Sequence, residues 1–311
     1  MTGRRPGKDA TLKSVSSPFE RSGLTTRYQI VRSLGRDSLP CAYLAHERTS
    51  NIFEAPLVIK VFPHREKLTA VKSRVKLIQR AASLQFARIV ECGRMGDAGY
   101  VVREYVKGET LGAALSTARE KLRRLSPVAP AVLVREVLRA LATLGAGALR
   151  LHKRPFAHMG ISPHNLVLTP QGDVRVLDIT CSSPFLGILQ TQARGSLRYL
   201  SPEVIEGGPS TQQTDIYSLG VILWEMCTMH EGHDAFEQNP MRLTRSQPLR
   251  LPSVFNPRVA HEIDLFVERC LGLAAPFTDL ADAADFLDGY LLNVAPTAAP
   301  RDIRHWIVNV S

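Results

Sequence analysis

Cysteine is the residue type whose spacing most directly reveals a metal site or a disulfide framework, and this chain of 311 residues contains five. They are scattered without any CxxC spacing: Cys41, Cys92, Cys181, Cys227 and Cys270. The pattern predicts neither a zinc site nor a set of disulfides. It fits a reducing compartment and therefore favours the cytoplasm.

The chain carries 39 basic and 29 acidic residues, a formal net charge of +10 at pH 7. Such an excess suits either an anionic partner or a basic surface that merely keeps the protein soluble. Because no zinc-finger spacing and no aromatic-basic RNA-binding motif accompanies it, nucleic acid is not the expected partner. No apolar run approaches the roughly 18 residues of a membrane span, and the start lacks the apolar block of a signal peptide.

The apolar periodicity changes in character along the chain. Residues 1–26 are predicted to form a flexible basic arm. Short β-branched and aromatic runs then predict antiparallel strands, with one helix beginning near Leu68. After Gly108 helical periodicity dominates, except for a predicted hairpin around the turn at Gly172, and a helix that is apolar all round follows Thr214.

Six local motifs follow one another along the chain. They are LVIK ending at Lys60, YVVREYVKG ending at Gly108, HMGISPHNLVL from His158, LDIT from Leu177, GSLRYLSPE ending at Glu203 and DIYSLG from Asp215. In order and spacing they resemble the eukaryotic-type protein kinase superfamily. The last two motifs make the chain more similar to protein kinases than to small-molecule phosphotransferases of kinase-like fold.

The resemblance implies an α+β, two-lobe fold. A small lobe with an antiparallel sheet and one main helix would occupy residues 28–104, and a larger helical lobe would occupy residues 105–292. Residues 293–311 would form a C-terminal tail, in which Trp306 docks on the body or on a partner. We favour docking on the body, because exposed apolar segments are usually covered.

The resemblance also assigns a nucleotide site, with ATP and magnesium as cofactors. Lys60 would hold phosphate, and the backbone of Glu104 and Val106 would meet adenine. Asn165 and Asp178 would be the metal ligands. Gly35 is the one glycine kept from the phosphate-covering loop, whose Asp37 and Pro40 disfavour phosphate.

The catalytic residues of the family are not all present. Gly160 stands at the position of the catalytic base, and Met159 and Ser162 replace the arginine and lysine nearby. The helix after Lys67 carries no acidic residue, and Leu77 occupies the position of the glutamate that pairs with the strand lysine. No catalytic residue is therefore intact. Losing a positioned general base lowers the rate by about 10² to 10⁴.

Arg103 stands where the family usually has an apolar residue beside the adenine pocket. If it is buried, a charge there must be paired, and Asp178 is the nearest candidate by topology. The alternative is that Arg103 faces solvent on the other side of its strand.

Smaller departures affect flexibility and structure. Ile179 and Thr180 replace the phenylalanine and glycine that let the metal-binding motif switch orientation. Phe277 and Thr278 stand where an arginine normally pairs with the equivalent of Glu203. His164 is expected to be solvated and not to replace the missing base.

These departures favour a pseudokinase, a catalytically impaired module that regulates or scaffolds a protein partner, such as a kinase or a phosphoprotein. The alternative is an atypical serine/threonine kinase that uses Lys60, Asn165 and Asp178. A third hypothesis is that the basic segment of residues 67–88 and the N-terminal arm bind an anionic surface.

Overall fold

The computed structural model describes most of the chain between residues 24 and 306. The described ranges are residues 24–34, 42–48, 55–63, 68–81, 83–96, 98–121, 126–152, 156–177, 198–230, 249–300, 302–303 and 306. The predicted sites at Gly35 and Asp178, and the motif residues Ile179 and Thr180, lie outside these ranges.

The first half of the chain forms a five-stranded sheet. Its strands are β1 (Tyr28–Ser33), β2 (Ala42–Glu47), β3 (Leu57–Pro63), β4 (Ile89–Met95) and β5 (Ala98–Glu104). The spatial order is β1-β2-β3-β5-β4 and every pairing is antiparallel. The strands predicted from β-branched and aromatic runs are therefore confirmed. Helix α2 (Leu68–Ala81) lies between β3 and β4 in the chain. Its apolar side chains recur at helical spacing and pack inward.

The described chain begins with a helical turn, α1 (Leu24–Arg27), which lies inside the segment predicted as a flexible arm. Leu24 is buried and packs in one apolar cluster with Tyr28 and Tyr43 on the outer face of the sheet. The polar composition of the segment hides this single anchoring leucine, so the arm prediction is corrected for residues 24–26.

The second half is mainly helical, as predicted. Its helices are α3 (Leu111–Glu120), α4 (Val128–His152), α5 (Pro202–Ile205), α6 (Gln212–Thr228), α7 (Pro252–Phe255), α8 (His261–Cys270) and α9 (Leu280–Val294). A short sheet of β6 (Glu109–Thr110), β7 (Leu166–Leu168) and β8 (Val174–Val176) contains the predicted hairpin, and all its pairings are antiparallel. The predicted α+β architecture is confirmed.

Helix α6 lies at the centre of the helical half, and every residue from Thr214 to Thr228 is buried. Thr211 caps its N-terminus, because the Thr211 hydroxyl accepts a hydrogen bond from the N–H of Gln213. At Gly220 a Cβ would lie 2.4 Å from the Cβ of Cys270, so only glycine lets α8 approach this closely.

The main core joins the two halves and reaches the C-terminal tail. Side chains from α2, α4, α6, α8 and α9 pack in one continuous apolar cluster. Ile303 and Trp306 are 1% and 3% exposed within the same cluster, so this part of the tail docks on the body. No helix in the described part of the chain combines the length and apolar character that a bilayer crossing requires.

Candidate functional site

The loop from His158 to Asn165 is fixed in place by a carboxylate at the start of α6. Asp215 Oδ2 accepts a 2.5 Å hydrogen bond from the backbone N–H of His158, and its Oδ1 accepts one of 2.9 Å from that of Met159. These bonds hold Met159 in the left-handed region, at φ 64°. Burial raises the pKa of Asp215 to about 6, even though both N–H groups and the nearby Arg74 favour the charged form.

The His158 ring connects this loop to the strand before Asp178. The ring is fully buried, and its Nε2 lies 3.1 Å from the carbonyl oxygen of Leu177. The N–H of Leu177 in turn donates to the carbonyl oxygen of Asn165 at 2.8 Å. The residue that precedes the predicted metal ligand Asp178 is thus tied to both ends of the loop.

The Asn165 side chain is oriented by a hydrogen bond within the loop. Its Nδ2 donates a 2.7 Å hydrogen bond to the carbonyl oxygen of Gly160, which leaves the amide oxygen for another group. An amide oxygen together with the carboxylate of Asp178 is the kind of oxygen donor set that Mg²⁺ prefers. The same bond fixes the backbone of Gly160, which the sequence predicts to stand at the position of the catalytic base.

Lys60 and Arg103 share one face of the sheet. Val58 pairs with Arg103 and Lys60 pairs with Val101 across β3 and β5, and directly opposed residues project to the same side. Val101 belongs to the main core, so this face is the one turned toward the helical half.

Arg103 is only 9% exposed, so the alternative that placed it in solvent is wrong. The cause is the register, which puts Arg103 opposite Val58 and Ile89 and not on the outer face. Its Nη1 donates a 3.1 Å hydrogen bond to the carbonyl oxygen of Glu104. Its predicted partner Asp178 lies outside the described residues.

Of the two residues predicted to meet adenine, Glu104 and Val106, the second belongs to a small apolar cluster. Val106 packs in it with Ala87, Val167 and Leu177, and all four are buried. The Glu104 carboxylate makes polar contacts instead. Its Oε1 accepts a 3.0 Å hydrogen bond from the backbone N–H of Arg88 and forms an ion pair with the Arg175 guanidinium of β8. Sequence reasoning missed this ion pair, because 71 residues separate its partners and Arg175 belongs to no motif.

Arg74 of α2 is a second residue that sequence reasoning missed. Its Nη2 donates to the carbonyl oxygens of Ala157 at 2.8 Å and His158 at 2.9 Å. Its guanidinium also stacks on the ring of Phe156, 4.6 Å from the centroid. Helix α2, which contains no acidic residue, therefore contacts the start of the predicted catalytic loop, residues 158–165, through a cation. The one feature of the sequence that hinted at this role is that every charged residue of α2 is basic.

The remaining predicted departures are located as follows. Leu77 is buried in the main core, and His164 is exposed, with its ring over Gly112 of α3. Phe277 is buried, and the Arg269 guanidinium lies 3.8 Å from its ring centroid, while Glu203 is exposed. Phe277, which the sequence places where the family usually has an arginine, thus makes an aromatic contact with a cation.

A buried carboxylate lies outside the loop, at the end of α6. Glu225 is 1% exposed and accepts a 2.8 Å hydrogen bond from the Tyr199 hydroxyl. Arg119 and Arg198 each place a guanidinium nitrogen 3.7 Å from its oxygens. Burial raises the pKa of Tyr199, so the hydroxyl stays protonated and donates. The cluster fixes the chain after residue 197 against α6.

Comparison with known proteins agrees with this geometry. The family model of the protein kinase domain matches residues 28–276. The chain belongs to the protein kinase family.

Several bacterial serine/threonine kinases are similar to the chain. It is 29% identical to PrkC of Bacillus subtilis over 251 residues, which cover 78% of this chain and 36% of PrkC. It is 30% identical to a probable serine/threonine-protein kinase of Clostridium perfringens over 211 residues, 66% of this chain and 29% of that protein. PknL of Mycobacterium tuberculosis is 24% identical over 225 residues, 68% of this chain and 52% of PknL. The chain thus spans about a third of the length of the first two relatives.

Proposed function

We propose that the protein is a pseudokinase, a regulatory or scaffolding module of the cytoplasm that binds a protein partner, such as a kinase or a phosphoprotein. The observation that carries the proposal is Gly160. Hydrogen bonds to Asp215 and from Asn165 hold the loop around Gly160 in place. The position that we assign to the catalytic base is therefore anchored, but it holds no carboxylate. The nearby loop residue His164 has its ring against Gly112 of α3.

Two further features support the proposal. Helix α2 has no acidic residue to fix the strand lysine, and Arg74 binds the catalytic loop in a way that adds positive charge next to it. The covering loop keeps only Gly35 of its glycines. Phosphoryl transfer depends on positioning and charge stabilisation, so losing several positioning groups together lowers the rate.

The second candidate is an atypical serine/threonine kinase that uses ATP and magnesium. It is favoured by Lys60 on the inner face of the sheet and by the amide orientation of Asn165. The printed names of PrkC and the other relatives, which are serine/threonine kinases, also favour it. Lys60, Asn165 and Asp178 would then bind the phosphates and the metal.

The test is phosphate transfer by the full chain, measured with labelled ATP and Mg²⁺, beside the variant Lys60→Ala. The pseudokinase predicts equal signals from the two proteins. Transfer that Lys60→Ala abolishes would overturn the proposal and establish the kinase.

The variant Gly160→Asp tests directly whether the absence of a carboxylate at position 160 limits the rate of transfer. Gly160 is not among the described glycines with positive φ, so a side chain fits its backbone. If the missing base limits the rate, Gly160→Asp gains up to about 10²-fold in transfer while the matched Gly160→Asn does not.

A further inference from the structure

The outer side of α2 carries a row of cations. Lys72, Lys76 and Arg80 stand four residues apart in the helix, and all three are exposed. We propose that this cation row, together with Leu84 just beyond the helix, is the docking site for an acidic helix of a protein partner. The inference rests on the proposed function as a regulatory module and names the chemistry of its partner.

The cation row does not stabilise the protein itself. None of its three side chains forms an ion pair or a hydrogen bond with any residue in the described part of the chain. Helix α2 contains no acidic residue, and like charges at i and i+4 repel each other along a helix. By contrast, the exposed Arg139 of α4 pairs with Asp285 of α9. The described chain therefore supplies no counter-charge for the row, and a partner can supply it.

The spacing of the row fits a helical partner. Residues four apart lie on one ridge of an α-helix, and each step rises about 6 Å along the axis. A partner helix with a glutamate or aspartate at every fourth residue has the same repeat, so its carboxylates meet the cations in register. Charge pairing of this kind sets orientation and speeds association more than it adds affinity.

Leu84 provides the apolar contact that adds affinity. Its side chain is 83% exposed, at the tip of a turn in which the N–H of Phe86 donates to the carbonyl oxygen of Ser83 at 3.3 Å. The N–H of Val176 in β8 donates to the carbonyl oxygen of Gln85 at 2.6 Å and fixes this turn to the body. A leucine on a fixed turn loses little conformational freedom when a partner buries it.

Helix α2 holds the row in a fixed position, because other side chains of the helix bind the body. Gln79 Nε2 donates to the carbonyl oxygen of Ile89 at 3.2 Å, and Arg74 donates to the carbonyl oxygens of residues 157 and 158. The helix that binds the partner therefore also contacts the start of the catalytic loop. This arrangement suits a regulatory module, since docking takes place one helix away from that loop.

The experiment uses two synthetic helical peptides of identical composition. The ordered peptide has glutamate at every fourth residue and a leucine one turn beyond the last glutamate, and the second peptide has its glutamates distributed around the helix. Fluorescence anisotropy measures the binding of each peptide to the full chain at about 150 mM salt, where distant charges are screened. The wild type is expected to bind the ordered peptide about 10-fold more tightly than the second peptide.

The variant Lys72→Glu/Arg80→Glu distinguishes docking from folding. Each new glutamate stands four residues from Lys76, so attraction replaces repulsion and the melting temperature should not fall. Binding of the ordered peptide should weaken by about 10-fold or more. The control Arg32→Glu/Arg258→Glu changes the net charge equally at exposed positions outside α2, and it should weaken binding by less than about 2-fold.

A second pair of variants tests the apolar contact. Leu84→Ser should weaken binding of the ordered peptide by about 10-fold, because the partner then buries a polar hydroxyl and no leucine. Val254→Ser is the matched control, since Val254 is 64% exposed on α7 and should leave binding within about 2-fold of the wild type.

Equal binding of the two peptides, or an equal loss in the Arg32→Glu/Arg258→Glu control, would overturn the inference, and so would failure to bind either peptide. Vesicles that contain phosphatidylserine test the membrane as the occupant. Vesicle binding that Lys72→Glu/Arg80→Glu abolishes, without peptide binding, would assign the row to a lipid surface and overturn the inference. Phosphate transfer that Lys60→Ala abolishes would overturn the pseudokinase but not the docking site, so the two failures are distinguishable.

Discussion

His158 and Asp215 lie 57 residues apart in the chain, yet the backbone N–H of His158 donates a 2.5 Å hydrogen bond to the Asp215 carboxylate. Together with the bond from Met159, it fixes the catalytic loop onto the central helix α6. The start of α6 therefore sets the conformation of this loop. This anchoring serves the fold and any binding surface, independent of phosphoryl transfer.

The pKa of Asp215 predicts a specific pH dependence of stability. The folded-state pKa of about 6 lies above the unfolded value near 3.8, so between these values the folded state binds more protons. The stabilising contribution of this group to the free energy of unfolding is therefore present at low pH and is lost as the pH rises through 6. Its size is at most on the order of 3 kcal/mol.

Urea unfolding of the wild type and Asp215→Asn from pH 4 to pH 7 isolates this effect, because other carboxylates contribute equally to both. The stability advantage of the wild type should shrink as the pH rises. Asp173→Asn, at an exposed turn, is the control and should show a constant difference. A constant difference for Asp215→Asn as well would contradict the raised pKa.

Arg74→Met should destabilise the protein by about 1–3 kcal/mol, because two carbonyl oxygens lose a charged donor. The methionine retains contact with Phe156, so packing is largely preserved. Urea unfolding measures the change, and Lys76→Met on the exposed face of the same helix should stay within about 0.5 kcal/mol. Equal effects of the two substitutions would argue against the catalytic-loop contact.

The Glu104–Arg175 ion pair should have a measurable coupling energy, because both side chains are about three-quarters shielded from solvent. We expect about 0.5–2 kcal/mol from a double-mutant cycle with Glu104→Gln and Arg175→Met. The pair Arg139–Asp285 is far more exposed and should give less than about 0.5 kcal/mol. Coupling in the first pair that is no greater than in the second would show that Glu104 is not fixed to β8.

Trp306→Ala should reduce the free energy of unfolding by about 3–5 kcal/mol, because its side chain is buried in the main core. Leu292→Ala provides the comparison on α9, since Leu292 is 67% exposed and should change stability by less than about 0.5 kcal/mol. Thermal or urea unfolding of the full chain distinguishes them. A small effect at Trp306 would mean that the tail does not stabilise the body.

The sequence by itself determined the elements and most of the motif assignments. Short β-branched and aromatic runs located the five strands, and the helical spacing in α2 and the continuous apolar run of α6 located those helices. These features are local, so periodicity reveals them. The glycine at position 160 was equally visible, because a missing side chain needs no structure to be recognised.

The tertiary structure alone decided what the charged residues do. The register of β3 and β5 turned Arg103 inward, and the packing of α2 brought Arg74 to the carbonyls of residues 157 and 158. Arg175 met Glu104 across 71 residues of chain. A charged side chain has no periodicity that reveals its partner, because burial and pairing depend on which distant segments the fold brings together.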